Sequence, residues 1–345
     1  MSEILPEQII GEGEVPSVEF VRAACENALT GKNVTAEELF SLLEIEPDTE
    51  QAKILWNTNV ELAHRGNKGF GYIYGQIGID SNSCPGNCHY CNFALCNRPT
   101  KQKCEAKLED ILHTAKLFAE NGVHLISLMS SAAYSFDKYL SLVADVRATI
   151  GPDVAIMANT RDLSADDARA LKDAGANNIY HAVRLGEGHI TSFPEEQRWR
   201  TIENAYAAGL GVASSVGPVY KSQPKGSFYY QTKNEIIERM FQLTKLDLVC
   251  TGVSGLHVVA GTKMENVEEF SRAKIMVLRD VFQLLSKGKT KHGGAQSIYW
   301  VDAGLDPRSR GYGIDDSHHI ARIEEIKETL NSNGWKLAPV GAMAY

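Results

Sequence analysis

The stretch Val123–Thr160, VHLISLMSSAAYSFDKYLSLVADVRATIGPDVAIMANT, decides the fold. It opens on a short apolar run, VHLISLMSS, that reads as a strand. SFDKYLSLVADVRATIG follows as a helix stopping on Gly151, and DVAIMANT is a second strand. Strand, helix and strand joined by short connections predict parallel pairing through a right-handed crossover. The same alternation runs outward from about residue 71. Strands are read in GYIYGQIGID, ANNIYHAVRLG, GVASSVGPVY, GLHVVAGTKM and AQSIYWVDAG, with amphipathic segments such as KLEDILHTAKLFAENG and KNEIIERMFQLTKL between them. DDSHHIARIEEIKETLNSNG is read as the last helix. We count eight strand–helix units over roughly 270 residues, which predicts an α/β fold, a (β/α)8 TIM-type barrel. The alternative is an incomplete barrel of six units with a separate C-terminal lobe. No glycine fingerprint opens the first helix, which argues against a doubly wound dinucleotide fold.

Residues 1–70 read as a helical preface, 71–335 as the barrel and 336–345 as a C-terminal tail. In the preface, NVTAEELFSLLEI places Glu38 three residues after Thr35, the pattern of a capping box. The chain has 345 residues, 43% hydrophobic and 23% charged, with a formal net charge of −8. It carries no long Lys/Arg run, so no nucleic-acid partner is expected. MSEILPEQIIGEGEVPSVEF lacks the charge and apolar pattern of a signal peptide. No apolar run reaches the ~18–20 residues of a membrane span, so the expectation is a cytoplasmic protein with no membrane partner.

Of seven cysteines, four fall in SNSCPGNCHYCNFALCN, Ser81–Asn97. A disulfide framework fits poorly with an odd count and a reducing compartment. A structural zinc site would need a fourth ligand, with Cys96 available, and such sites usually pair two knuckles from separate segments. An iron–sulfur cluster fits better: thiolates at Cys84-x3-Cys88-x2-Cys91 supply three ligands from one loop and leave a vacancy. The loop directly follows the first strand, at the end of a barrel where functional groups gather.

The triplet Cys84, Cys88, Cys91, with Tyr90 before the last cysteine, resembles the signature of radical S-adenosylmethionine (SAM) enzymes. The resemblance implies a [4Fe–4S] cluster on those three cysteines, with SAM chelated at the open iron. It further implies a 5′-deoxyadenosyl radical that abstracts hydrogen from a substrate. It covers about residues 50–335 and resembles most the biotin synthase branch. That branch includes a hydrogenase maturase, methylornithine synthase and a two-component lipoyl synthase. LKDAGANNIYHAVRLGEGHI, HVVAGTKMEN and SRAKIMVLRDVF are similar to segments of that branch. By position, the resemblance places Tyr90 near the adenine, Ser130 and Ser131 near the methionyl amine, and Arg184 and Glu187 near the methionyl carboxylate and ribose. An Arg fork suits a carboxylate.

The family's Gly-Gly-Glu form is absent from the Met129–Ser131 step. The second, third and fifth strands carry none of the cysteines that hold the second cluster of classical biotin synthases. Sulfur insertion would then need another auxiliary cluster, with Cys96 and Cys104 and one of Cys25 or Cys250 as candidates. Cys25 and Cys250 read more simply as buried core thiols. The implied function is hydrogen abstraction from a small amino-acid- or cofactor-precursor substrate, in biosynthesis. The implied partners are that small molecule and an electron donor such as flavodoxin or ferredoxin. No catalytic residue is assigned. His181, Arg184, Ser214, Ser215, Tyr220, His257 and Lys263 fall near strand ends. Arg308 or Arg310, in a cluster with Asp302, Asp315 and Asp316, is a candidate for an anionic substrate. Two readings compete: a zinc-stabilised barrel that binds a ligand without redox chemistry, and a non-catalytic scaffold that delivers a cluster or metal fragment.

Overall fold

The computed structural model describes residues 8–97, 104–222, 229–287, 297–306, 311–312 and 315–343. The chain divides into two compact units. One, the sheet unit, comprises Phe70–His181, Thr191–Ala213 and Ser297–Tyr345; the other, the helical unit, comprises Met1–Gly69, Ala182–Ile190 and Ser214–Gln296.

The sheet unit is built on six parallel strands: β1 (Phe70–Gly78), β2 (Leu125–Met129), β3 (Ala155–Asn159), β4 (Asn178–Tyr180), β5 (Gly211–Ala213) and β8 (Ile298–Ala303). The ladder runs β8-β1-β2-β3-β4-β5, and the short β11 (Lys336–Leu337) pairs with the start of β1. Beyond β8, β9 (Leu305–Asp306) and β10 (Gly311–Tyr312) form a small antiparallel pair of their own. The connecting helices are α4 (Leu108–Glu120), α5 (Phe136–Ile150), α6 (Ala165–Asp173) and α7 (Glu195–Ala207), with α10 (Asp316–Ser332) last. One face of the sheet packs on helices. A Cβ on Gly75 would lie 2.5 Å from the Phe118 ring of α4, so β1 and α4 meet at a distance only glycine allows. On the same face Ile73, Ile77, Ile126, Leu128 and Ile156 have no accessible surface, the apolar burial that drives such layers together. His124 pins the bottom of this sheet. Its Nδ1 accepts from Ile73 N–H at 3.0 Å and its Nε2–H donates to Ala338 O at 2.8 Å. That pattern requires the neutral ring, and burial pushes its pKa below the ordinary value.

The helical unit contains α1 (Val18–Leu29), α2 (Ala36–Leu42), α3 (Glu50–Asn67), α8 (Lys233–Thr244) and α9 (Arg272–Ser286). It also holds the two-stranded sheet of β6 (Val216–Val219) and β7 (Val253–Gly255). The expected capping box forms: Thr35 Oγ1 accepts from Glu38 N–H and Glu38 Oε2 accepts from Thr35 N–H. Lys233 and Glu44 are buried and bonded at 2.7 Å, with the Phe40 ring 3.7 Å from the ammonium. Glu44 also accepts from Gly11 N–H. Buried charges persist only with such partners.

The strand reading needs three corrections. The sequence holds only seven apolar runs of strand type; the eighth strand arises because the run expected at 211–220 splits into β5 and β6. The break falls at Ser214–Ser215, where the chain leaves the ladder with β4 and donates instead to Cys250 O and Gly252 O. The strand expected at 255–264 ends at Gly255, and the His257 side chain is 88% exposed. The strand expected at 176–186 ends at Tyr180, leaving Arg184 and Glu187 in turns. No described helix is long and apolar enough to cross a membrane.

Candidate functional site

The C-terminal end of β1 delivers the chain into the cysteine loop at Asp80. The loop is stitched shut at its base. Ser81 N–H donates to Cys104 O at 2.8 Å, Cys104 N–H to Ser81 Oγ at 3.1 Å, and Ala106 N–H to Ile79 O at 2.9 Å. Within it, Cys84 is clamped from both sides: its N–H donates to Phe93 O at 2.6 Å and its O accepts from Leu95 N–H at 3.0 Å. Asn97 gathers the turn that carries the other two cysteines. Its Nδ2 donates to the carbonyls of Cys88, His89 and Cys91 at 3.1, 3.2 and 2.6 Å. Asn87 takes the left-handed conformation (φ 47°), which Asn tolerates better than most residues, and accepts from Cys96 N–H.

The sulfurs themselves receive donors. Gly86 N–H points to Cys84 Sγ and Phe93 N–H to Cys91 Sγ, each at 3.4 Å. Backbone donors thus reach two of the three sulfurs. Cys88 is 9% exposed and the other two are half-buried. Among the described residues no three His, Cys, Asp or Glu side chains gather as around a single ion. A cubane asks for a different arrangement, because each thiolate goes to a different iron. The donor set, three thiols on one pinned loop with N–H groups aimed at two sulfurs, fits such a cluster.

Behind the loop stands an aromatic and charged buttress. The Phe193 ring lies so close to Gly86 that any Cβ there would overlap it, and Ser192 N–H donates to Gly86 O at 2.8 Å. The Arg198 guanidinium sits 4.9 Å from the Phe193 ring and bonds the Asp162 carboxylate at 2.5 Å. His181 Nε2 is 3.1 Å from the same carboxylate oxygen. Burial pushes the Asp162 carboxyl up, but the His181 hydrogen bond and the Arg198 charge outweigh it, and its pKa lies below the ordinary value.

Ser130 and Ser131 follow β2. Asp80 accepts from Ser131 N–H and from Ser131 Oγ–H, both at 2.7 Å. Ser130 Oγ donates to Thr160 Oγ1 at 3.2 Å. Tyr90 is half-buried. Asp80, Phe193, Arg198 and Asp162 were not singled out by sequence reasoning. Asp80 alone left a local signal, an acidic residue directly after an apolar strand.

Arg184 and Glu187 lie in the helical unit. The Glu187 side chain has no accessible surface; its Oε1 accepts from Arg184 N–H at 3.3 Å and lies 3.5 Å from the Arg184 guanidinium. Arg184 keeps 28% of its side chain exposed. Next to them Glu235 accepts from Gly186 N–H at 3.0 Å and from the Tyr229 hydroxyl at 2.5 Å. Ser215 is bonded to Ser254 at 3.0 Å, Ser214 and Tyr220 are buried, and Lys263 is exposed. In the sheet unit Asp315 caps α10 and Asp316 pairs with His113. Arg308 and Arg310 lie outside the described residues. Cys25 is 3% exposed and burial raises its thiol pKa. Burial pushes the Cys250 thiol up to about 12. Cys104 is buried and Cys96 half-buried, its thiol 3.4 Å from Asn87 O.

Residues 79–222 match the family described as the Radical SAM superfamily. The chain is 25% identical over 271 residues to the biotin synthase of Anoxybacillus flavithermus, covering 76% of this chain and 78% of that one. It is 25% identical over 280 residues to the biotin synthase of Bacillus subtilis, with the same coverage. Among solved structures it is similar to a methylornithine synthase, at 16% identity and a TM-score of 0.73, covering 92% of this chain and 97% of that one. The FeFe-hydrogenase maturase HydG from Carboxydothermus hydrogenoformans gives 15% identity and a TM-score of 0.69, covering 92% and 79%. These likenesses match the TIM-type α/β class expected from the strand–helix rhythm. The superfamily uses a [4Fe–4S] cluster and SAM, acts on small molecules and takes electrons from a reductant. Through residues 79–222, cysteine loop included, this chain matches the radical SAM superfamily, and it is read as a radical SAM enzyme.

Proposed function

We propose that Cys84, Cys88 and Cys91 hold the [4Fe–4S] cluster, and that the enzyme abstracts hydrogen from a small amino-acid- or cofactor-precursor substrate in a cytoplasmic biosynthetic reaction. The observation that carries this is the pinned C-x3-C-x2-C loop at the end of β1, inside the matched domain. When bound and reduced by an external donor, the cluster would supply one electron to the sulfonium of SAM, whose C–S bond would break to give methionine and a 5′-deoxyadenosyl radical.

The chain's own residues do the rest. Gly86 and Phe93 N–H groups hydrogen-bond the Cys84 and Cys91 sulfurs, and Asn97 ties the turn together. With their protons committed to Thr160 and Asp80, the Ser130 and Ser131 hydroxyls offer lone pairs, the complement of an ammonium group. Arg184 receives the methionyl carboxylate as a fork. Glu187, wholly buried against it, acts as its positioning residue rather than reaching the ribose. Tyr90 borders the adenine. A flavodoxin or ferredoxin supplies the electron, with no nucleic-acid or membrane partner.

The likeness to biotin synthases keeps sulfur insertion as the second reading. Against it, β2, β3, β5 and β6 carry no cysteine. One experiment separates the readings: iron and acid-labile sulfide after anaerobic reconstitution, on wild type and on a Cys84/Cys88/Cys91→Ala triple variant, with 5′-deoxyadenosine release under dithionite. About four irons in wild type, none in the variant, supports a single cluster. A remainder in the variant supports an auxiliary cluster and sulfur insertion. A colourless wild type that binds zinc, with no deoxyadenosine, overturns the proposal.

A further inference from the structure

Parallel sheets flanked by helices are ordinarily apolar on both faces. The helix-packed face of this sheet obeys that rule, and Gly75 against Phe118 identifies which face it is. The opposite face does not. Register partners in a parallel ladder point to the same side. The row Asp302–Gln76–Ser127–Met157–Asn178–Gly211 therefore runs across all six strands on the face turned away from the helices. Towards the strand starts, Tyr74 and Trp300 meet edge to face on the same side, centroids 5.0 Å apart.

Two members of that row are unexplained by packing. Asp302 is exposed, and its carboxylate takes a 2.6 Å hydrogen bond from the Gln76 amide. Among the described residues of the six parallel strands it is the only charged one on this face. Asp80, just beyond β1, already has Ser131 N–H, Ser131 Oγ–H and Asn82 N–H on its carboxylate. Asn178 is 2% exposed and its Nδ2 has no hydrogen-bond partner. Buried amide donors are almost always satisfied, so the lack of one asks for an acceptor from elsewhere.

We propose that this face binds a substrate carrying a protonated amine, received by Asp302 and oriented by Gln76, together with an acceptor oxygen that takes the Asn178 N–H. A substrate presenting only carboxylates would meet an unneutralised negative charge there. The inference deepens the reading of the chain as a SAM-cleaving enzyme and rests on it for the chemistry after binding, not for the binding itself.

The test is equilibrium dialysis of the reconstituted full chain with two amine probes, 1,5-diaminopentane and tyramine. Each is paired with its acid isostere, heptanedioate and 3-(4-hydroxyphenyl)propanoate. Each amine is expected to bind at least about tenfold more tightly than its acid, and Asp302→Asn to weaken amine binding by about tenfold or more. Asp302→Lys should invert the preference, a gain that misfolding does not produce. Equal binding of amine and acid by the wild type, or unaltered amine binding by Asp302→Asn, overturns the inference. Deoxyadenosine release is measured on the same wild-type preparation. Amine preference without release sinks the enzymatic reading alone; release without amine preference sinks this inference alone.

Discussion

Replacing Asp280 by Asn should abolish a pH dependence of stability that runs opposite to that of most carboxylates. Asp280 sits on α9 in the helical unit, 6% exposed, where its backbone carbonyl accepts from Asn59 Nδ2 of α3. Burial raises its side-chain pKa from 3.8 to about 7, against the pull of Asn59 and of the Arg279 charge. Between those two values the folded protein holds a proton that the unfolded chain has released. Stability from this group therefore falls as pH rises from about 4 to about 7 and is flat above. At roughly 1.4 kcal/mol per pH unit, the whole span amounts to about 4 kcal/mol. The group is half protonated near pH 7, so the interval from pH 5 to 7 carries about 2 kcal/mol. The assay is urea denaturation of wild type and Asp280→Asn at pH 5, 6, 7 and 8. The difference between the proteins isolates this group from every other titration. Asn should gain on wild type by about 2 kcal/mol from pH 5 to 7, and by less than about 0.5 kcal/mol more by pH 8. Parallel curves would refute the reasoning, and a gain on acidification would reverse its sign.

Gly86→Ala should force the Phe193 ring away. Overpacking of this kind costs about 1–3 kcal/mol, and iron retained after reconstitution should fall at least about twofold, with Phe193→Leu in the same chain restoring it. Asp162→Asn strips the buried Arg198 and His181 of their shared carboxylate. A loss of about 3–5 kcal/mol is expected, read as a Tm drop on the order of 10 °C. Burial holds the His124 pKa below 6.5. Stability from it is present above pH 6.5 and lost as pH falls. A His124→Gln variant should show a shallower acid slope below about pH 6.5 in the same denaturation series.

What was legible in the sequence was whatever depends on neighbours along the chain. The Val123–Thr160 alternation became β2, α5 and β3, and Thr35 with Glu38 became a capping box. The three cysteines lie on the loop after β1, where their spacing and the preceding strand had put them. The failures have physical causes. One expected strand became two because the chain changes partner at Ser214, from β4 to the Cys250–Gly252 segment. The Gly255–Met264 run is apolar enough to read as a strand, but its polar interruptions let it leave the sheet after Gly255. The buttress behind the cysteine loop was invisible because Gly86 and Phe193 are distant in sequence and neither belongs to a periodic pattern. The polar row from Asp302 to Asn178 is likewise a property of register. Its polar members, Asp302, Gln76, Ser127 and Asn178, each stand in a different strand, and only the alignment of the strands shows that they share a face.

The stitched base of the cysteine loop bears on how the enzyme is matured. Hydrogen bonds between Ile79–Ser81 and Cys104–Ala106 close the ring of chain through protein groups, so that the entropy of closure is borne by the polypeptide. Cluster assembly then has to order only the inside of a small ring. Oxidative loss of the cluster should likewise disorder that ring and leave the sheet beneath it standing. Damage and repair at such a site should then be local, with reloading expected to spare the sheet.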